Sequence, residues 1–210
     1  MNVKLLTSTE ALHDMENFAA LAYLTCHANT DKDYVPHEKL ERAIKDRHES
    51  ILEHINLTFS IKGLSRACLQ ELARHRHISL SVESTRHTLK KRLTDENTKL
   101  LQTIEEMLPI KLKPKNSPFY WHEEFVAWFL RLIKDNPNMT NDELKYCLPE
   151  FWPTNLIITL NIREFRHILK LRTSPAALKE FRVLARSMFN EVPEQFKYLL
   201  QDCVHQEVQP

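Results

Sequence analysis

An α+β fold is what the sequence predicts: a mainly helical single domain over residues 1–210 with a small antiparallel or mixed sheet. Three observations carry it. Ile55, Leu57, Phe59 and Ile61 alternate with polar residues, the period of a half-buried strand. Trp121, Phe125, Trp128, Phe129 and Leu132 recur at helical spacing. A length of 210 residues, 42% hydrophobic and 27% charged, suits one domain around one sizeable core.

The elements follow in chain order. Val3–Thr7 reads as a short strand and Thr9–Cys26 as a helix capped by Thr9. Pro36–Arg47 reads as a second helix with Leu40 and Ile44 on one face. Gly63 is expected to end the Ile55–Ile61 strand, and Ser65 to cap a helix running to Arg76. His77–Thr85, polar and β-branched, reads as an irregular loop, and the charged run Lys90–Lys115 as partly loop around Pro109 and Pro114. Phe119–Lys134 is a strong amphipathic helix, and Trp121, Trp128 and Trp152 are expected in the core. Leu156–Leu160 is a short strand. Asn161 then caps a helix through Arg172. Pro175 is expected to open a helix to Asn190, with Leu178, Phe181, Leu184, Ala185 and Met188 inward, and Glu194–Val204 to form the last helix.

Composition excludes several classes. Lys plus Arg number 29 against 28 Asp plus Glu, so net charge predicts neither a nucleic-acid tail nor a membrane patch. The N-terminus lacks the apolar run of a signal peptide, and no window is long and apolar enough for a membrane span. Four scattered cysteines without a Cys-x-x-Cys pair suit free thiols, so a cytoplasmic location is expected. Eleven histidines show no H-x-x-x-H or H-E-x-x-H spacing, and no metal is expected. The chain has a single glycine, Gly63. Dinucleotide-binding and phosphate loops need several, so any nucleotide here must be held by side chains.

Two basic clusters stand out. Arg74-His75-Arg76-His77 is followed by Ser79, Ser81, Ser84, Arg86 and His87. Cations at a helix C-terminus complement its dipole and are often simply solvated. The same interleaving of serines and cations suits phosphate binding, and both readings stand on the residues alone. The second cluster lies on the helix after Asn161, where Arg163, Arg166, His167 and Lys170 share one face at i, i+3, i+4 and i+7. A basic outer face is the ordinary reading of that pattern. Like charges so stacked repel, and a nearby anion would relieve the cost.

The residues also carry a resemblance. Arg74-His75-Arg76, seven residues, then Ser84 is similar to the R-H-R-x7-S signature of the flavin-dependent thymidylate synthases. SRACLQELARHRHISLSVESTR resembles the family's motif helix and loop, RHESILEHINLTFSI the strand before it, and NIREFRHILKLR its second block. The resemblance implies that family's fold and a homotetramer with sites shared between subunits. It further implies an FAD enzyme that methylates dUMP, with methylenetetrahydrofolate as carbon donor and NADPH as reductant. Arg74, His75 and Arg76 would lie on the flavin nucleotide, Ser50 would reach it from a neighbouring subunit, and Asn161, Ile162, Arg163 and His167 match further FAD positions. Arg74, Ser84, Arg86 and Lys145 match residues that hold dUMP. Arg172 matches the arginine that polarises the pyrimidine. Glu71 falls at a dUMP position where many members have Gln. Val82 replaces a family Glu, with Glu83 next to it, His87 replaces a frequent Tyr, and Lys145 a usual Arg. Arg172 and Ser84 are the candidate catalytic residues, Ser84 as a positioning hydroxyl because no general base adjoins it in sequence. Two other readings compete: a nucleic-acid-binding module using both basic helices, and a structural helical interaction protein without turnover.

Overall fold

The structure is a computed structural model that describes residues 1–29, 33–94 and 120–206. Its first strand, β1 (Asn2–Leu5), precedes helix α1 (Thr9–Cys26), which is capped by Ser8 rather than Thr9: the Ser8 hydroxyl accepts from Ala11 N at 3.2 Å. Helix α2 (Pro36–Lys45) ends two residues before the expected Arg47. Both helices close with Schellman turns. Asn29 N donates to Leu24 O and His48 N to Ala43 O, with Ala28 (φ 51) and Arg47 (φ 59) in the left-handed position. Glycine usually takes that position, so its scarcity here is met by bearing a small backbone strain of about 1 kcal/mol per closure.

A 3-10 turn over Glu49–His54 leads into β2 (Asn56–Ser65). Gly63 does not end this strand as expected. It sits inside β2 at φ 74, where its N–H donates to the Asn155 side chain at 3.1 Å, and the strand continues to Ser65. Helix α3 (Arg66–Leu72) starts where Ser65 Oγ accepts from Cys68 N. It stops four residues short of Arg76.

The expected loop at His77–Thr85 is instead a strand, β3 (Ile78–Val82), followed by α4 (Thr85–Thr94). Helices α5 (Trp121–Asp135) and the short α6 (Asn141–Leu144) precede β4 (Pro153–Asn161) and α7 (Ile162–Arg172). The expected partial loop at Lys90–Lys115 lies outside the described residues apart from the end of α4. The four strands form one small sheet in the order β1-β2-β4-β3. Pairings of Thr58 with Thr159 and of Gly63 with Asn155 make β2 and β4 antiparallel.

Pro175 does not open the next helix. Helix α8 (Lys179–Glu191) begins four residues later, because Arg182 binds the carbonyls of Pro175 and Ala177 and holds the intervening turn. The chain end is not one helix either but two 3-10 turns, Glu194–Leu199 and Gln201–Cys203. Buried Arg166 takes the Leu199 carbonyl, an acceptor that a continuing helix would need.

The described chain divides into two compact units. One comprises Met1–Asn2, Lys62–Gln70 and Val82–Leu156; its core joins Leu89, Val126, Phe129, Leu144 and Trp152. Trp121 and Trp128 are not in it: they are 56% and 44% exposed, since α5 buries its Val126–Phe129 side. The other unit comprises Val3–Ile61, Glu71–Ser81 and Ile157–Pro210, and packs α1 against α2 and the Glu49–His54 turn against α7. Leu57, Phe59, Phe165, Ile168 and Phe181 are fully buried there. Phe181, Leu184, Ala185 and Met188 point inward as expected, while Leu178 is 41% exposed at the head of α8. No helix among the described residues is long and apolar enough to cross a membrane.

Candidate functional site

The basic run Arg74-His75-Arg76 occupies the turn that directly follows α3 and leads into β3, beginning two residues past the helix end. His75 N donates to Leu72 O at 3.1 Å and closes the turn. His75 is the inward residue of the three, 6% exposed, while Arg74 and Arg76 face solvent. Among the described residues, neither arginine has a hydrogen-bond or ion-pair partner. Two guanidinium groups thus stand free on either side of a buried imidazole.

That imidazole joins a chain of four groups within one unit. His75 Nδ1 lies 3.1 Å from Glu164 Oε1, and Arg172 Nε donates to His75 Nε2 at 3.1 Å. Arg172 Nη1 donates to Glu71 Oε2 at 2.8 Å, and the guanidinium carbon lies 4.7 Å above the Phe181 ring. Burial pushes the His75 pKa below its ordinary value; the Glu164 hydrogen bond opposes this and the Arg172 and His167 charges add to it. A neutral ring with its proton on Nδ1 satisfies both partners: Nδ1–H donates to the carboxylate and Nε2 accepts from Arg172. Arg172 is left with Nη2 unpaired among the described residues.

Helix α7 positions two members of this chain. Asn161 Oδ1 accepts from Glu164 N at 2.8 Å, the N-cap that the sequence predicts, and Arg172 is the last residue of the helix. Ile162 is buried, and Asn161 is half-buried. The expected basic outer face of α7 is a correction. Arg166 is 2% exposed, and its guanidinium binds Glu49, Asp202 and the Leu199 carbonyl. Lys170 lies 3.8 Å from Glu49, and Arg163 pairs with Glu53. The anions that relieve this stack are the chain's own carboxylates. His167 remains exposed, its ring 5.8 Å from His75. Ser50 is exposed in the Glu49–His54 turn of the same unit.

Ser84, Arg86 and Lys145 belong to the other unit. Ser84 immediately precedes α4, and its carbonyl accepts from His87 N and Thr88 N. Its hydroxyl is exposed and makes no hydrogen bond among the described residues. Arg86 forms a two-bond pair with Asp142, at 2.7 and 2.9 Å, and Lys145 is exposed. Glu83, one place later than the family's acid, accepts from Asn155 Nδ2 at 2.7 Å, while Val82 is exposed.

Sequence reasoning missed Glu164. Its spacing after Asn161 reads as a capping box, which accounts for a Glu three residues into a helix without a site. Only the buried imidazole of His75, distant in sequence, redirects its meaning. Cys68 and Cys203 are buried, and among the described residues no group of three or more His, Cys, Asp or Glu is placed to hold a metal ion.

Fold and site define a class: an α+β protein that presents its free cations from a turn and from side chains, not from a glycine loop. The sequence family described as Thymidylate synthase complementing protein matches residues 4–196, and the chain belongs to that family, the flavin-dependent thymidylate synthases. The flavin-dependent thymidylate synthase of Campylobacter jejuni (strain RM1221) is 36% identical over 206 residues, covering 96% of this chain and 99% of that protein. That of Wolinella succinogenes is 37% identical over 218 residues, covering 96% and 100%. A crystal structure of the flavin-dependent thymidylate synthase from Helicobacter pylori complexed with FAD and dUMP superposes with a TM-score of 0.74 at 32% identity, covering 98% of this chain and all of that one.

Proposed function

We infer that the protein catalyses reductive methylation of dUMP to dTMP with FAD as cofactor, methylenetetrahydrofolate as carbon donor and NADPH as reductant. The observation that carries the reading is Arg172, a guanidinium fixed on one edge by His75, on another by Glu71 and from below by Phe181. The solved relative in complex with FAD and dUMP supports it.

The residues fit a flavin nucleotide. Its diphosphate needs donors, and the chain, with one glycine, lacks a backbone cradle. Arg74 and Arg76 are exposed and unpaired among the described residues, so they bind phosphate without first giving up a partner. Ser50, Asn161, Ile162, Arg163 and His167 complete the FAD set. Arg163 must exchange Glu53 for the cofactor, at small cost because that pair is half in water. His75 serves from inside, holding Arg172 with one nitrogen. Bound FAD supplies the redox chemistry that no side chain can.

Toward dUMP, the residues assigned are Arg74, Glu71 and Arg172 and, independently, Ser84, Arg86 and Lys145. Ser84 and the start of α4 offer N–H groups and a hydroxyl to an anion. Arg86 exchanges Asp142 for phosphate, again a surface pair of about 0–1 kcal/mol. Methylation at C5 places negative charge on the uracil carbonyl and N3 edge, and Arg172, with Nη2 unpaired, stabilises it there. Ser84 positions the nucleotide; with no base hydrogen-bonded to it among the described residues, its hydroxyl is a poor nucleophile.

In this reading the two units form one domain, as the single family match over residues 4–196 supports. The protein works in the cytoplasm as a homotetramer, its sites shared between subunits, with no nucleic-acid or membrane partner. The test is an anaerobic visible spectrum after FAD loading and gel filtration, with NADPH added with and without dUMP. Retained flavin that bleaches at a dUMP-dependent rate supports the reading; a protein that keeps no flavin sinks it. Arg172→Ala is expected to abolish dTMP formation with the flavin still bound.

A further inference from the structure

We propose that Glu164 is a positioning residue for Arg172, acting through the tautomer of His75. The inference rests on the reading of Arg172 as the cation that polarises the pyrimidine. Its own evidence is geometric. Glu164 is 8% exposed and His75 6% exposed, so water does not compete for the bond between them. A carboxylate only accepts, so the 3.1 Å contact places the imidazole proton on Nδ1. Nε2 is then a lone pair, and it faces Arg172 Nε, which can only donate, at 3.1 Å.

With the proton on Nε2 instead, two N–H groups would confront each other and the guanidinium would turn away. Glu164 thus sets the direction of Arg172 through one intervening residue, His75, without touching substrate. The charged groups that face His75 are Glu164, Arg172 and His167, with the Phe181 ring of α8 closing the remaining side at 5.9 Å. Glu71 fixes a second edge of Arg172. The plane of the guanidinium is therefore held by two acceptors, and only the one through His75 depends on a tautomer. Positioning of this kind is worth about a hundredfold in rate when it is lost.

The experiment compares Glu164→Gln and Glu164→Ala in the full-length FAD-loaded enzyme, with two readouts. The first is the nitrogen-15 spectrum of histidine-labelled protein, in which the His75 signals are identified by their loss in His75→Gln. The second is the separation of kcat from KM for dUMP. Gln keeps an acceptor oxygen, so Glu164→Gln should retain the Nδ1–H tautomer and a kcat within about threefold of the parent. Ala removes the acceptor, so the Nδ1–H tautomer should be lost and kcat should fall about 10- to 100-fold with KM little changed.

Retention of the tautomer and of kcat in Glu164→Ala overturns the proposal, as does equal impairment of Gln and Ala. If Glu164→Ala does not fold, Glu164→Gln decides: loss of its tautomer or its turnover overturns the proposal, and retention of both upholds it. The Arg172→Ala variant separates the two readings. Normal turnover there removes the role of Arg172, whereas the nitrogen-15 spectrum still reports whether Glu164 sets the His75 tautomer.

Discussion

The turn at Arg74–Arg76 and the helix α7 carry similar runs of cations, yet only the arginines of the turn lack carboxylate partners among the described residues. On α7, Arg166 is buried against Glu49 and Asp202, Arg163 pairs with Glu53, and Lys170 approaches Glu49. In the turn, Arg74 and Arg76 face solvent without partners among the described residues, and His75 is tied inward. Charge density along a sequence does not separate these cases. What separates them is the placement of carboxylates far away in the chain: Glu49 is 117 residues from Arg166. A basic run with its own acids is tied into the fold; one without them keeps its donors for an outside anion, the role proposed for Arg74 and Arg76. The nucleic-acid reading required both clusters to be free, and the self-neutralised face of α7 removes half of its surface.

Exchanging the two kinds of arginine for alanine tests this division. Arg166→Ala leaves the Leu199 carbonyl, Asp202 and Glu49 without their shared donor. It should cost about 3 kcal/mol of stability, read as a lower urea midpoint at constant slope. Arg74→Ala should move stability by no more than about 0.5 kcal/mol. Its dTMP formation should nonetheless fall by at least about a hundredfold, with flavin retention reduced. A stable Arg166→Ala protein, or an unstable Arg74→Ala protein, would break the comparison.

A smaller effect comes from pH. The His75 pKa lies below its ordinary 6.5 in the folded chain. Between the two values the unfolded chain binds more protons, so stability rises with pH across that window. The contribution is fully present above pH 6.5 and is lost as pH falls toward the folded value. Thermal melts of the parent and of His75→Gln should therefore keep a constant separation above pH 6.5 and approach each other as pH falls below it; a separation that stays constant below pH 6.5 would contradict the burial argument.

The smallest effect concerns thiols. Burial pushes the Cys203 thiol up to about 12, with the Arg166 charge opposing and the Asp202 charge adding. Cys26 is exposed. A thiol reagent at pH 8 should label Cys26 in the native protein and leave Cys203 untouched. Arg166→Ala should speed Cys203 labelling, because the 3-10 turn around it then loses its anchor.

Much of the fold was legible where one local signal had no rival. Asn161 before an apolar-periodic run gave the cap and the length of α7 correctly, and α1 matched residue for residue apart from its cap. β3 was not legible in that way. Ile78, Leu80 and Val82 alternate with Ser79 and Ser81, but the run is short and polar, and it becomes a strand through its neighbour β4. The turn after Pro175 and the broken C-terminal helix share a cause of the same kind. Arginine side chains, Arg182 from within α8 and Arg166 from α7, take the carbonyls that a helix would have used.

The site divides along the same line. By itself the sequence determined that phosphate must be met by side chains, because one glycine cannot build a loop, and it pointed to Arg74, Arg76 and Arg172 through the family's spacing. It also determined the cap that aims α7. Tertiary structure alone decided which cations lack partners among the described residues, which way His75 faces, and that its Nδ1 meets Glu164. The physical reason is that hydrogen-bond and charge partners are fixed by proximity in space, and local periodicity carries no information about residues a hundred positions away.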